Sequence, residues 1–181
     1  MRDVVFASEV FYFMIALIGF TGAGKSTLGA RLQGELGIPC YDVDEMIEER
    51  QQMKIADIFA AYGEAFFRRL EAETIRSCAG RPAGVVVTGG GAVLNPETRR
   101  WLSENCLVVH VHAPLDVIVE RLSAMRDRPL LGTADREKAL RDMYEARRGV
   151  YDFAAIKVDG ADGLGSASLI AAAWSKWRQE H

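Results

Sequence analysis

The chain predicts a three-layer α/β domain, a parallel sheet covered by helices on both faces. Three observations carry that expectation. Short apolar runs alternate with amphipathic stretches along the whole length, the pattern of strand–helix units whose parallel strands are buried on both sides. The first apolar run leads straight into a glycine-rich loop and then a helical pattern. The 181 residues, 49% hydrophobic and 26% charged, show no repeat, low-complexity segment or linker, and suffice for one core.

Taken in order, the strand candidates are Met14–Ile18, Ile38–Tyr41, Val85–Thr88, Leu107–Val111 and Ala155–Val158. Each is a short run bounded by turn residues. Helical spacing of apolar residues predicts helices over Lys25–Leu36, Val43–Gln52, Ile55–Tyr62, Glu64–Cys78, Pro96–Glu104, Leu115–Met125, Arg136–Arg148 and Leu164–Arg178. Asn95-Pro96 supplies an N-cap and an N1 proline for the fifth of these. One long irregular stretch remains, Arg126 to Asp135 (RDRPLLGTAD), with two arginines, a proline and a glycine. Loops of that length and composition serve as lids. Residues 1–13 read as an appendage to a single domain over 14–181. Glu9 interrupts their imitation of a signal peptide, and cleavage there would remove the strand the glycine loop needs. The run is also too short to span a bilayer.

A net charge of −3, from 22 basic and 25 acidic residues, supplies no overall positive field and argues against a nucleic-acid partner. Cys40, Cys78 and Cys106 are odd in number, widely spaced and without a C-x-x-C. They are expected to be buried reduced thiols of a cytoplasmic chain. A monomer is the default.

The stretch Gly19 to Ser26 (GFTGAGKS) fits G-x-x-x-x-G-K-[ST] between a strand and a helix. Its glycines let successive backbone N–H groups curl around phosphate oxygens, and the helix N-terminus adds partial positive charge. Gly22, Ala23, Gly24, Lys25, Ser26 and Thr27 form the expected nucleotide site, with Lys25 reaching the β- and γ-phosphates and Ser26 a ligand of Mg²⁺. Nucleoside triphosphate binding follows.

The second strand candidate runs out in Cys40-Tyr41-Asp42-Val43-Asp44. Strand alternation would carry Asp42 and Asp44 off its tip on one side. Carboxylates so close repel unless a cation or hydroxyl lies between them. The C-terminal strand ends of an open parallel sheet face the ligand crevice. One carboxylate there can hold Mg²⁺ through its waters; the other can accept a hydrogen bond from the hydroxyl that receives the phosphoryl group. In GEAFFRRLEAE, Arg68 and Glu71 stand one helical turn apart and can pair, which suits Arg68 to bidentate recognition of a carboxylate. Gly89-Gly90-Gly91 ends the third strand and lets backbone approach an anion or small ring. His110 and His112 share one strand face, but without a third ligand nearby they are expected to pack rather than bind metal.

Together these pieces resemble the shikimate kinases among the P-loop small-molecule kinases. The resemblance runs from Met14 to about Tyr151 and rests on five motifs. These are the Ala-Gly-Lys-Ser-Thr loop, Asp42-x-Asp44, Phe67-Arg68-x-x-Glu71, Gly89-Gly90-Gly91, and Arg128-Pro129-Leu130-Leu131. It implies a P-loop kinase fold with a five-stranded sheet in the order 2-3-1-4-5 and a mobile lid, and transfer of the γ-phosphoryl of ATP to the 3-hydroxyl of shikimate. It also implies Asp42 as a water-mediated magnesium residue and Asp44 as the residue that binds the acceptor and serves as, or orients, the base. Arg68, Arg147 and the N–H groups of Gly90 and Gly91 would surround the substrate carboxylate. Arg128 would close onto the phosphates, and Arg121 would pack near adenine. The family motif Arg-x-Pro-x-Tyr reads here Arg147-Arg148-Gly149-Val150-Tyr151, with glycine in place of proline and a second arginine adjacent. Helical spacing with Leu140, Met143 and Tyr144 turns Arg147 toward the protein body and Arg148 to solvent. The stretch Asp159–Gly165 gives no adenine residue. Two rivals keep parts of the pattern. A gluconate kinase would share the loop but should lack the triple glycine and the Arg-Pro-Leu-Leu lid. A ligand-sensing kinase-like module would usually carry a DNA-binding segment, and residues 1–13 are too short for one.

Overall fold

A computed structural model describes residues 14–124 and 134–180. The appendage 1–13 lies outside the described residues. So does the lid segment 126–133, with Arg128.

The chain runs β1 (Met14–Ile18), α1 (Lys25–Leu36), β2 (Cys40–Asp42), α2 (Val43–Gln51), α3 (Ile55–Ser77), β3 (Val85–Val87), α4 (Pro96–Asn105), β4 (Cys106–His112), α5 (Leu115–Ala124), α6 (Ala134–Ala146), β5 (Ile156–Asp159) and α7 (Gly163–Glu180). Single 3-10 turns at Cys78–Gly80 and Ala92–Leu94 escape the apolar pattern. The five strands form one parallel sheet in the order β2-β3-β1-β4-β5. β1 is central and hydrogen-bonded on both edges, which is why all five of its residues, Met-Ile-Ala-Leu-Ile, are buried. Alternation along β1 divides the core. Ile15 and Leu17 join Leu28, Leu32, Ile118 and Ile170 on one face; Met14, Ala16 and Ile18 join Ile47, Ile58, Phe67, Ile75 and Leu102 on the other. A fully buried Leu or Ile contributes about 1.5–3 kcal/mol, so both faces hold their helices chiefly through these contacts.

Several expected boundaries move, each for a local reason. The two helices expected around Gly63 form one element, α3, but Gly63 sits at φ 76° and breaks the helical geometry between them. The last helix before β5, expected over Arg136–Arg148, starts at Ala134 and stops at Ala146, so its first turn takes the final two residues assigned to the lid. β2 spans only Cys40–Asp42, where Ile38–Tyr41 was expected. Val43 already opens α2, with the Asp42 side chain accepting from the Asp44 amide. Asp44 therefore stands in the first helical turn, and alternation along a strand does not relate the two carboxylates. α4 begins as expected: Asn95 accepts from the Glu97 amide at 2.8 Å and Pro96 follows. Cys78 and Cys106 are buried and Cys40 is only half-buried, all three as free thiols. Burial pushes the Cys40 thiol up to about 11, too high for a nucleophile at neutral pH. His110 stacks on His112 and on Tyr151, with ring centroids 5.9 and 4.8 Å apart. Among the described residues no group of three or more His, Cys, Asp or Glu is placed to hold a metal ion.

Candidate active site

The phosphate loop hangs between the end of β1 and the first turn of α1. Gly24, the residue before the helix, has φ 103°, and a Cβ there would lie 2.9 Å from the Gly160 carbonyl oxygen. Both facts demand glycine. Lys25 is 7% exposed and its Nζ donates to the carbonyls of Gly19 and Phe20, 2.9 Å each. The lysine thus folds back on its own loop and holds it curled. Arg121, on α5, donates from Nη1 to Gly22 O and from Nη2 to Gly160 O, both at 3.2 Å. It ties the loop to the turn after β5. Ala23 is buried in the loop wall, while Ser26 and Thr27 are exposed at the start of α1.

The Ser26 hydroxyl donates to Asp42 Oδ2 at 3.0 Å, and Asp42 Oδ1 accepts the Asp44 amide at 3.0 Å. One carboxylate therefore caps α2 and faces the phosphate loop at once, because the last β2 residue and the first α1 turn stand side by side. The two contacts use different oxygens: Oδ1 caps the helix and Oδ2 takes the Ser26 hydroxyl.

Beside the loop opens a cavity of about 470 Å³, within the range of small-ligand sites. Thr21 of the loop, Asp44, Arg68, Glu71, Arg147 and Gly89 to Gly91 line its polar side; Phe59, Phe67, Leu140 and Met143 are among its apolar walls. The structure thus brings Asp44, Arg68, Gly90, Gly91 and Arg147 to one space. Arg68 is fixed by two carboxylates: Nη1 donates to Glu71 Oε2 at 2.7 Å, and Nη2 and Nε to Glu64 Oε1 at 3.1 and 3.2 Å. Burial works against the Arg68 charge, yet the hydrogen bonds and charges of Glu71 and Glu64 outweigh it and raise its pKa. Burial also drives the Glu71 carboxyl above its ordinary value; Arg68 opposes that shift and nearby Asp44 adds to it. The side chain of Glu71 is 2% exposed against 26% for Arg68. The arginine is therefore the cation that meets the cavity, and the glutamate is the buried anchor behind it.

Arg147 follows the end of α6. Its Nη1 donates to Gly90 O at 3.3 Å, and the same carbonyl accepts the Tyr151 hydroxyl at 3.2 Å. Burial pushes the Tyr151 phenol up to about 12, although Arg147 pulls the other way. The Arg148 side chain is 79% exposed and makes a 3.5 Å ion pair with Glu145. Helical periodicity expected the two arginines to diverge. They do so from a turn rather than from a helix.

Three contributors were not legible. Glu64 is a second anchor for Arg68; its i,i+4 spacing was the available signal. Phe20 reaches Arg147 and Tyr151 reaches the Gly90 carbonyl across the fold, at sequence separations that no periodicity reveals.

A curled phosphate loop on a central parallel strand, a carboxylate at the next strand's tip and a two-arginine cavity beside them define a P-loop phosphotransferase acting on a small anionic acceptor. The family model for shikimate kinase matches residues 21–175. The shikimate kinase of Geobacter sulfurreducens is 45% identical over 147 residues, 81% of this chain and 81% of that protein. The shikimate kinase of Pelotomaculum thermopropionicum is 42% identical over 155 residues, 86% of this chain and 88% of that one. Among solved structures, shikimate kinase from Acinetobacter baumannii in complex with shikimate matches with a TM-score of 0.79 at 30% identity, covering 91% of this chain and 95% of that one. Shikimate kinase from Aquifex aeolicus matches with a TM-score of 0.76 at 37% identity, covering 88% and 94%. The chain belongs to the shikimate kinase family.

Proposed function

We propose that the chain transfers the γ-phosphoryl group of ATP to the 3-hydroxyl of shikimate, giving shikimate 3-phosphate and ADP. The observation that carries the reading is the shared cavity: Thr21 of the phosphate loop, Asp44 and two arginines from α3 and the turn after α6 line one space. Shikimate carries a carboxylate for the arginines and hydroxyls for the aspartate. With its carboxylate between Arg68 and Arg147 and the N–H groups of Gly90 and Gly91, the ring directs a hydroxyl at Asp44 and the loop.

Asp44 accepts the proton of that hydroxyl, or orients it, as the oxygen bonds to the γ-phosphorus. The bond from phosphorus to the β–γ bridging oxygen breaks, and ADP leaves with that electron pair. Lys25 moves from the Gly19 and Phe20 carbonyls onto the phosphates, and with Arg128 it offsets the charge on the transferring oxygens. Arg121 steadies the loop next to adenine. The lid excludes water, which would otherwise take the phosphoryl group. The donor set suits Mg²⁺, since Ser26 offers a hydroxyl and Asp42 a carboxylate, both hard oxygens on the phosphate side. Ser26 and Asp42 would hold the ion, and it would supply positive charge beside the phosphates.

The free thiols support a reducing, cytoplasmic compartment, and a monomer is the state we propose. Among the described residues no helix is long and apolar enough to cross a membrane. A coupled assay for ADP release tests the reading across a panel of cyclitol and sugar acids. Release with shikimate and Mg²⁺-ATP, at background with gluconate, is the expected result. Release with gluconate alone would hand the site to the other sugar-acid kinase, and shikimate binding without any release would leave a ligand sensor.

A further inference from the structure

The ring of Phe20, second residue of the phosphate loop, lies against Arg147. The guanidinium carbon stands 5.7 Å from the ring centroid. The carbonyl of the same residue accepts Lys25 Nζ at 2.9 Å. Phe20 is 3% exposed, and Tyr144 sets its ring edge-on to it, 5.3 Å away at 74°. The Tyr144 hydroxyl is fixed in turn on the Ala113 carbonyl at 3.2 Å. Next in the loop, Thr21 backs onto Gly90 so closely that a Cβ on the glycine would lie 2.8 Å from the Thr21 nitrogen. The phosphate loop is therefore packed directly against Arg147 and against the carbonyl that Arg147 holds.

We propose that Phe20 is a positioning residue for Arg147, and that it couples occupancy of the phosphate loop to the grip on the substrate carboxylate. The inference rests on the reading of Arg147 as a carboxylate ligand. An aromatic face attracts a guanidinium without taking any of its N–H donors. Arg68 is held by two carboxylates through all three of its nitrogens, and the second N–H of each Nη remains for the substrate. Arg147 gives Nη1 to Gly90, meets the Tyr151 side chain and rests on a ring, and its five-donor fork keeps further N–H groups for the substrate. When nucleotide arrives, Lys25 exchanges the Phe20 carbonyl for phosphate oxygens. The backbone carrying the ring loses its cationic tether, and the support under Arg147 changes with it. Linkage makes the effect mutual, so shikimate changes ADP affinity by the same factor.

Calorimetric titration of the full chain with shikimate, with and without saturating Mg²⁺-ADP, tests the proposal. In wild type the two shikimate affinities differ. Phe20→Leu weakens shikimate binding roughly threefold to tenfold, the range of a half-buried cation–π contact, and moves the ratio of the two affinities toward one. Phe20→Tyr keeps the ring and restores both. In an Arg147→Ala background, Phe20→Leu has no further effect, as expected for two residues acting through one contact. Phe20→Met carries the same expectations if Phe20→Leu does not fold. An unchanged ADP ratio in Phe20→Leu, or an equal loss with Arg147 absent, overturns the coupling while leaving Arg147 as the ligand. Wild-type shikimate affinity in Arg147→Ala removes the role of Arg147 itself, and the inference with it.

Discussion

Gly91→Ala adds one methyl group and is expected to act on shikimate alone. Gly91 has φ −111° and ψ −1°, a backbone open to ordinary residues, so alanine bends nothing. The added Cβ, however, would stand 2.5 Å from Arg68 Nη2, 2.7 Å from Cζ and 2.8 Å from Nη1. Ordinary contact begins at 3.4 Å, so the guanidinium must withdraw by about 0.9 Å, the difference from the shortest of these distances. It is not free to do so, because Glu71 holds it at 2.7 Å and Glu64 at 3.1 Å. A misplacement of about 1 Å in a positioning group costs up to roughly 100-fold. Steady-state kinetics should therefore show kcat/KM for shikimate lower by roughly ten- to 100-fold, about 1.4–2.7 kcal/mol, with the KM for ATP within about twofold. Gly34→Ala is the control. It lies inside α1 with nothing within 4 Å of its Cβ, so it should leave the kinetics alone and raise stability by about 0.5–1 kcal/mol. Wild-type kcat/KM in Gly91→Ala, or an equal rise in the KM for ATP, would refute the placement of Arg68 at the acceptor.

Asp44→Asn should lower kcat by about 100-fold or more, the loss of a positioned proton acceptor, with nucleotide affinity intact by calorimetry. Asp42→Asn keeps a good N-cap for α2 and should regain activity as Mg²⁺ is raised; equal, Mg²⁺-insensitive losses in both variants would end this division of roles. Arg147→Ala should raise the KM for shikimate by about tenfold or more, while Arg148→Ala, at an exposed side chain, should be nearly silent in the same assay. Glu71→Gln probes the buried anchor through pH. A carboxyl whose folded pKa is raised by burial contributes stability that is present below about 4.5 and is lost as pH rises through the folded value. The melting temperature of wild type minus that of Glu71→Gln should therefore shrink from acid to neutral pH; a gap that widens would contradict the direction of the shift.

Local patterns carried most of the fold. The run Met-Ile-Ala-Leu-Ile reads as a strand buried on both faces because β1 is paired on both edges, and Asn95-Pro96 starts α4 by local chemistry alone. Boundaries failed where a side chain changed the local rule, as at Asp42, whose capping bond ends β2 and puts Asp44 on a helix. In the site, residues belonging to short spaced motifs could be read: Lys25, Ser26, Asp42, Asp44, Arg68, Gly90, Gly91. What could not be read is the support behind them. Phe20 meets Arg147, and Tyr151 meets Gly90, only because β1, β3 and the turn after α6 converge at the C-terminal end of the sheet. Contacts between residues tens of positions apart leave no period in a sequence.

The proposed reaction turns on one event, the presentation by this cavity of the 3-hydroxyl of a carboxylate-bearing ring to the γ-phosphate. Phosphorus NMR with proton correlation on a reaction of the full chain with ATP, Mg²⁺ and shikimate tests it most directly. One new phosphomonoester signal, coupled to the proton on carbon 3 and growing in step with ADP, is the expected result. Inorganic phosphate in place of that signal, or a phosphomonoester on another hydroxyl, would contradict it.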